Sequence, residues 1–365
     1  MATTKVTTDV IDMSGNAGGL TWVKGATGDQ PAVGVSTAGD LRENTTTFKT
    51  EVFNGTAWRN LKEAPVTVAV DFLVVAGGGG GAGSASNNCN AGGAGAGGLL
   101  TTTTYGGSES VFLASLATTY TVEVGPGGAG TSGYDTNGVS GTASKFGIVG
   151  SEITATGGGG SGTYRGVPQS GGSGGGAGSY SSSTEQTPGT ASPAGQGNAG
   201  GAGMAYNAGA LTSGGGGGGA GAAGIAGSGG NAGSGGAGLE VNIIGGTGNF
   251  YAGGGGAGGE SSGGAGGSSI GGAGASGDGD GSNGSVNTGS GGGGATSIFA
   301  GTQTGGTGGS GIVILRCAKA TATISAGITV NGINAAGSVS GDTTNMPAGQ
   351  YFYSATLGTG TITFS

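Results

Sequence analysis

The apolar residues of this chain are grouped into short runs dominated by Val, Ile, Thr and Phe, the residues that suit a pleated sheet. These runs predict strands at 66–76, 110–116, 119–124, 152–156, 239–244 and 311–316, and again at 322–324, 327–330, 351–355 and 359–364. Within the first, DFLVVA is apolar at nearly every position, so cover is expected on both of its faces. Met346-Pro347-Ala348-Gly349 reads as a turn. Near the start, Asn54-Gly55 predicts a type I′ hairpin over 48–61. Counting outward pairs Phe53 with Thr56, Val52 with Ala57 and Glu51 with Trp58. Phe48, Val52, Ala57 and Leu61 would then share one face, and Phe53 and Trp58 the other. An isolated hairpin is marginal in water. Its two apolar faces need cover, from residues 17–36 of the same chain or from a second subunit.

Between the strands lie tracts of a different kind, at 77–98, 157–178, 196–238, 252–284 and 289–311. They are built from glycine with Ala and Ser. In one of them Gly215, Gly218, Gly221, Gly224, Gly227, Gly230, Gly233 and Gly236 recur every third residue. Three residues per turn is the period of a polyproline II-type helix, which makes no internal hydrogen bonds. Glycine alone in water has no reason to hold that conformation. Packing many such helices side by side supplies the reason, because a face without Cβ lets backbones approach and exchange hydrogen bonds. Seven prolines and a broken period exclude collagen. The competing account is a flexible linker, but linkers join domains, whereas these tracts recur between strands.

Composition sharpens this pattern. Glycine supplies 102 of 365 residues, and 87 of these lie between 77 and 316. Helix is disfavoured by so much glycine, which leaves an all-β chain. Leu, Ile, Val and Phe together number only 57, a depletion typical of disorder, but the net charge of -8 is low for that class. Thirteen of the 28 charges fall in 1–66 and only 11 in 77–311. These shifts predict three zones: a β module at 1–66, a glycine-rich domain at 67–317 and a second β module at 318–365. With no histidine there is no imidazole base or ligand, and two cysteines make no thiolate zinc cage. No metal and no cofactor are expected. Ten basic residues make no nucleic-acid patch, and no run of 18 apolar residues offers membrane insertion. The first residues lack the apolar core of a secretory signal. Cys89 and Cys317 form no disulfide framework. Asp278-Gly279-Asp280-Gly281-Ser282-Asn283 is similar to a calcium loop, but Asn283 stands where the loop needs Gly and Gly289 where it needs Glu.

Five blocks in order, FLVVAGGGGGAG at 72–83, YTVEVGPGGAG at 120–130, ITATGGGGSG at 153–162, NFYAGGGGAGG at 249–259 and GGTGGSGIVILR at 305–316, resemble the glycine-rich domain of bacteriophage tail fibres and adhesins. LRENTTTFKTEVFNGTAWRNL at 41–61 resembles a module found near the ends of phage fibre and other virion proteins. The resemblance implies a non-enzymatic virion protein and a homotrimer. It also implies a β-sandwich combined with packed polyglycine II helices, flanked by the small β modules. Phe48, Val52, Phe53, Trp58 and Leu61 would face the oligomer interface. The N-terminal module would hold other virion proteins, and exposed loops would meet a host glycan or outer-membrane protein.

Tyrosine among Ser, Gly and Asn suits adaptable binding loops. Tyr134, Tyr164, Arg165, Tyr180 and Tyr206 interrupt the tracts and are the candidate receptor contacts. Arg165 is the only arginine between 60 and 315. The plainer account is that each tyrosine covers the end of the glycine layer. The alternative to an adhesin is an architectural capsid or tail component. A polysaccharide-degrading spike and an ice-binding protein are lesser alternatives.

Overall fold

In a computed structural model of the chain, two compact units form, Met1–Pro65 and Val66–Ser365. The described residues are 23–25, 40–47, 49–54, 56–60, 66–85, 89–133, 136–179, 186–204, 211–299 and 301–365. Among them there is no α-helix; the fold is mostly β.

The first unit holds four strands, β1 (Val23–Gly25), β2 (Leu41–Asn44), β3 (Lys49–Phe53) and β4 (Trp58–Asn60), in that order across one sheet. The expected hairpin exists, but its register is shifted by two. Phe53 lies opposite Trp58, and Glu51 opposite Asn60. The reason is the side chain of Asn54. Its Oδ1 accepts the N–H groups of Thr56 (3.0 Å) and Ala57 (2.9 Å), which stabilises a four-residue loop over the two-residue turn. The shift keeps Phe53 and Trp58 on one face and brings their rings into tilted contact, with centroids 5.6 Å apart. That face also carries Arg42 and Glu51, a buried ion pair at 2.7 Å, and Asn44, which donates to Glu51 at 2.8 Å.

In the second unit the strands are β5 (Thr67–Val75), β6 (Cys89–Asn90), β7 (Leu99–Thr101), β8 (Phe112–Ser115), β9 (Thr119–Val124), β10 (Ser144–Ile148) and β11 (Ser151–Ala155). They continue with β12 (Leu239–Glu240), β13 (Phe250–Tyr251), β14 (Thr296–Ser297), β15 (Ile312–Cys317), β16 (Thr321–Ile324), β17 (Ile328–Val330), β18 (Gly337–Ser340) and β19 (Tyr351–Phe364). The resemblance implied two stacked sheets. Instead, one antiparallel sheet, ordered β11-β10-β9-β19-β15-β5-β7 with β8, β16, β17 and β18 attached, curls into a nearly closed barrel; β6 with β14 and β12 with β13 are separate two-stranded sheets. The two runs expected at 351–355 and 359–364 merge into the single strand β19, which β15, β17 and β9 pair along its length and which passes through Gly358 at φ +89°. Residues 318–365 thus supply a strand that sits between β15 and β9. The run at 239–244 is strand only at its first two residues. A turn from Asn242 to Gly245 ends it, while Val241 and Ile243 still reach a core.

Strand β5 explains the unbroken apolar run. Val68, Val70, Phe72 and Val74 point into the barrel with Tyr120, Phe146, Tyr353 and Phe364. Leu73 and Val75 point the other way, to Leu99, Val241, Ile243, Tyr251 and Ile314. The barrel opens between β11 and β7, and Gln196 closes the gap. Its Nε2 donates to Thr154 O (3.0 Å), its Oε1 accepts from Thr156 N (2.8 Å), and its own carbonyl accepts from Leu99 N (2.9 Å).

Six strands of the barrel run directly into glycine tracts: β5, β9 and β11 lead out of the sheet, and β7, β10 and β15 lead into it. The tracts bond to one another by a rotation of three. In tract 91–98, residues 91, 94 and 97 donate to 295, 292 and 289; residues 92, 95 and 98 donate to 162, 159 and 156; residues 93 and 96 donate to 215 and 218. Its carbonyls accept from three further tracts: those of 98 and 95 from 76 and 79, those of 96 and 93 from 173 and 176, and those of 94 and 91 from 255 and 258. One buried tract is therefore surrounded by six others. Every residue from 91 to 98 is buried, and the rotation of three leaves its backbone groups paired with neighbours rather than water.

The period-three run at 215–236 does not form one long helix. Gly216 N donates to Ile225 O, Ile225 N to Ser234 O and Gly236 N to Gly217 O, so the run folds into three tracts side by side. The second turn is made by Gly229 and Gly230 at φ +55° and +80°, between Ser228 and Asn231, which bond to each other. Both are turn positions that favour glycine.

A Cβ built on Gly93 collides with the carbonyl of Gly255 in the neighbouring tract. Gly93→Ala is expected to cost about 2–3 kcal/mol, the scale of overpacking, seen as a lowered midpoint in urea unfolding, whereas exposed Ser228→Ala leaves the midpoint in place. Gln196→Ala removes one donor and one acceptor at the barrel edge. A loss of about 1–3 kcal/mol is expected, with faster amide exchange at Thr156, whose N–H it caps.

Candidate functional site

Because successive tracts run back and forth from the barrel, their far connections gather at one end of the lattice. Isolated bridges tie those ends together: Ser84 with Gln303, Ser132 with Thr304, Gln186 with Gly203, Ser213 with Gly259 and Gly279 with Thr296. Side chains too large for the lattice fit only at its surface and at these connections, and this end is the candidate site.

Two of the five candidate contacts are described. Tyr164 is half-buried and Arg165 exposed, with the guanidinium carbon 5.3 Å from the centre of the tyrosine ring. Asparagine 137 holds their loop from the neighbouring connection. Asn137 Oδ1 accepts from Thr163 N (3.2 Å), and its Nδ2 donates to Val167 O (2.7 Å). Gly166 N donates to Thr163 Oγ1 (3.1 Å), and Gln186 Nε2 donates to Tyr164 O (3.0 Å). The fold thus brings the connections around 137, 165 and 186 together. Along the tracts that lead back from them stand further polar groups: half-buried Ser140 bonded to exposed Gln169, and exposed Ser170 bonded to exposed Thr190 at 3.0 Å. Val167, 77% exposed, completes the loop. Sequence reasoning missed Asn137, whose signal is an Asn placed just before a glycine in a tract connection.

Tyr134, Tyr180 and Tyr206 lie outside the described residues, as do Phe48 and Leu61 of the first unit. Of the other interface candidates, Phe53 is buried within its own unit, and Val52 and Trp58 are half-buried.

The stretch similar to a calcium loop has another use. Asp278 Oδ1 accepts from Ile298 N (2.7 Å) and Phe299 N (3.2 Å), Asp280 Oδ1 from Thr304 N (2.7 Å), and Asn283 Oδ1 from Thr307 N (2.8 Å). Thr304 and Thr307 are three apart, the same rotation as in the lattice. Here side-chain oxygens replace the carbonyls of a missing neighbour at the lattice edge. Among the described residues no group of three or more His, Cys, Asp or Glu is gathered for a metal. A cleft of about 270 Å³ lies at the barrel end, away from these connections, between Leu99, Thr101, Gly106, Gly195 and Leu239.

The model of a family described as a glycine-rich domain matches residues 55–318. The chain belongs to this glycine-rich domain family. No curated protein matches the sequence. The matched span of the glycine-rich domain takes in the tracts and β15, and ends before β16. The candidate loop with Tyr164 and Arg165 lies inside it.

If Asp278 and Asp280 serve the glycine-rich domain as backbone acceptors, an amide oxygen should serve as well. Asp278→Asn with Asp280→Asn is expected to stay within about 1 kcal/mol of the parent, and the double alanine variant to lose about 1–3 kcal/mol. Thermal unfolding in chelator and in calcium separates this from a metal site, which would make the parent melt lower in chelator.

Proposed function

We propose that this chain is a bacteriophage structural protein, a tail fibre or tail-tip adhesin that binds the host cell surface. The observation that carries this reading is the gathering of the tract connections, with Tyr164 and Arg165 among them, at one end of a lattice held by backbone hydrogen bonds. In this reading the tracts are a polyglycine II layer, and the layer is a rigid stalk head. Loops on a rigid scaffold carry recognition. The order of five sequence blocks, similar to phage fibre domains, supports the assignment to a virion.

The protein acts without catalysis and without a cofactor. It assembles in the host cytoplasm as a homotrimer, and the N-terminal unit docks it to other virion proteins. The half-buried Val52 and Trp58 would contribute to that contact. The receptor is a surface glycan or an outer-membrane protein.

The test is adsorption of the purified full chain to bacterial cells. Saturable binding that blocks phage adsorption is expected, together with a native mass of three chains. A folded chain that adsorbs to no cells leaves an architectural capsid or tail component instead. Release of reducing sugar from host polysaccharide would point to a hydrolytic spike.

A further inference from the structure

Arg165 carries a charge that the described residues leave unused. Between 77 and 311 the basic residues are Lys145 and Arg165. Lys145 is engaged by Glu123 across two strands, at 3.2 Å. Among the described residues, Arg165 has no carboxylate partner and its N–H groups have no acceptor. In a chain of net charge -8, an exposed guanidinium with no acid paired to it among the described residues is out of keeping with its surroundings.

The site around it is built rather than incidental. Contact with the Tyr164 ring steadies the cation without consuming its N–H donors. Those five donors form a planar fork that matches the paired oxygens of a carboxylate or phosphate. Asn137, Thr163 and Gln186 hold the loop through four hydrogen bonds, so little ordering remains to oppose binding. Exposed Gln169, Ser170 and Thr190 and half-buried Ser140, along the tracts that lead back from the loop, are neutral groups that can exchange hydrogen bonds with sugar hydroxyls. Resting on the adhesin reading, we propose that the Tyr164–Arg165 loop binds an oxyanion substituent, a carboxylate or a phosphate, on a bacterial surface glycan.

Full-length protein is tested by biolayer interferometry against immobilised polygalacturonate, poly(glycerol phosphate) and neutral dextran, at low and high salt. Saturable, salt-weakened binding to one of the acidic polymers and none to dextran is expected; the polymer that binds tells carboxylate from phosphate. Because the chain is itself anionic, bulk charge opposes this binding. Arg165→Gln should weaken it by about tenfold or more, the loss of one charge-assisted pair. Arg165→Lys should fall between, since an ammonium lacks the planar fork. Both variants should melt with the parent, as Arg165 is exposed. Binding to neither acidic polymer, or Arg165→Gln binding as tightly as the parent, overturns the inference. Adsorption to bacterial cells distinguishes the two failures. A parent that adsorbs to cells equally well as Arg165→Gln keeps the adhesin reading and loses the oxyanion. A parent that adsorbs to none loses both.

Discussion

A backbone that turns by a third of a revolution per residue presents its N–H groups in three directions in succession. No strand partner on two sides can satisfy it; it needs neighbours all round. Tract 91–98 has six, three accepting its N–H groups and three donating to its carbonyls. That requirement governs the rest of the second unit. Each neighbour must come within hydrogen-bond distance of the backbone, so positions such as Gly93 have no room for a Cβ. Glycine costs the most entropy to order, and a single intramolecular hydrogen bond returns only about 1 kcal/mol. The arrangement therefore holds together only as a whole, with many tracts in place at once.

A lattice of near-identical glycine tracts contains little to tell one partner from another. The barrel supplies that distinction. Its strands carry side chains of different size, with Phe72, Tyr120, Phe146, Tyr353 and Phe364 in one core, and these fix register. Six strands then enter or leave the lattice at set places. Strand β19 has a particular part, because it joins β15 to β9 and so holds together segments that are far apart in the chain. At the margins, where a tract lacks a neighbour, side chains take over the work of carbonyls. Asp280 and Asn283 do so along one edge and Gln196 at the seam of the barrel.

How much of this is legible in the sequence differs by element. Runs such as 119–124 and 311–316 appear as strands because Val, Ile and Tyr dominate locally, and the two-sided burial of DFLVVA follows from its unbroken apolar run. The short strands β7, β10 and β18 have no such signature; Ser144–Ile148 is a strand because β9 and β11 pair with it on either side. The hairpin at 49–60 is visible but its register is not, since the choice rests on whether Asn54 spends its side chain on the loop. The period of three at 215–236 shows the geometry of a tract but hides the turns. At 91–98 the reverse holds: the sequence AGGAGAGG has no strict period, yet the hydrogen bonds rotate by three. Period is imposed by the neighbours, and small residues only permit it. At the candidate site, Tyr164 and Arg165 stand out in a tract of small residues, whereas their support by Asn137 and Gln186 depends on which connections become neighbours.

The separation of duties between lattice and connections has a consequence for recognition. Interior positions are confined to Gly, Ala and Ser by the approach of neighbouring backbones, so they cannot vary to meet a new ligand. The connections are under no such restraint. Those that carry Asn137, Arg165 and Gln186 bond to one another through side chains and a few carbonyls, outside the rotation of three. A change there leaves the lattice bonds as they are. Chemistry at that end can be altered residue by residue while the scaffold keeps its stability, which is the opposite of a side-chain core, where a new group must be accommodated by everything packed around it.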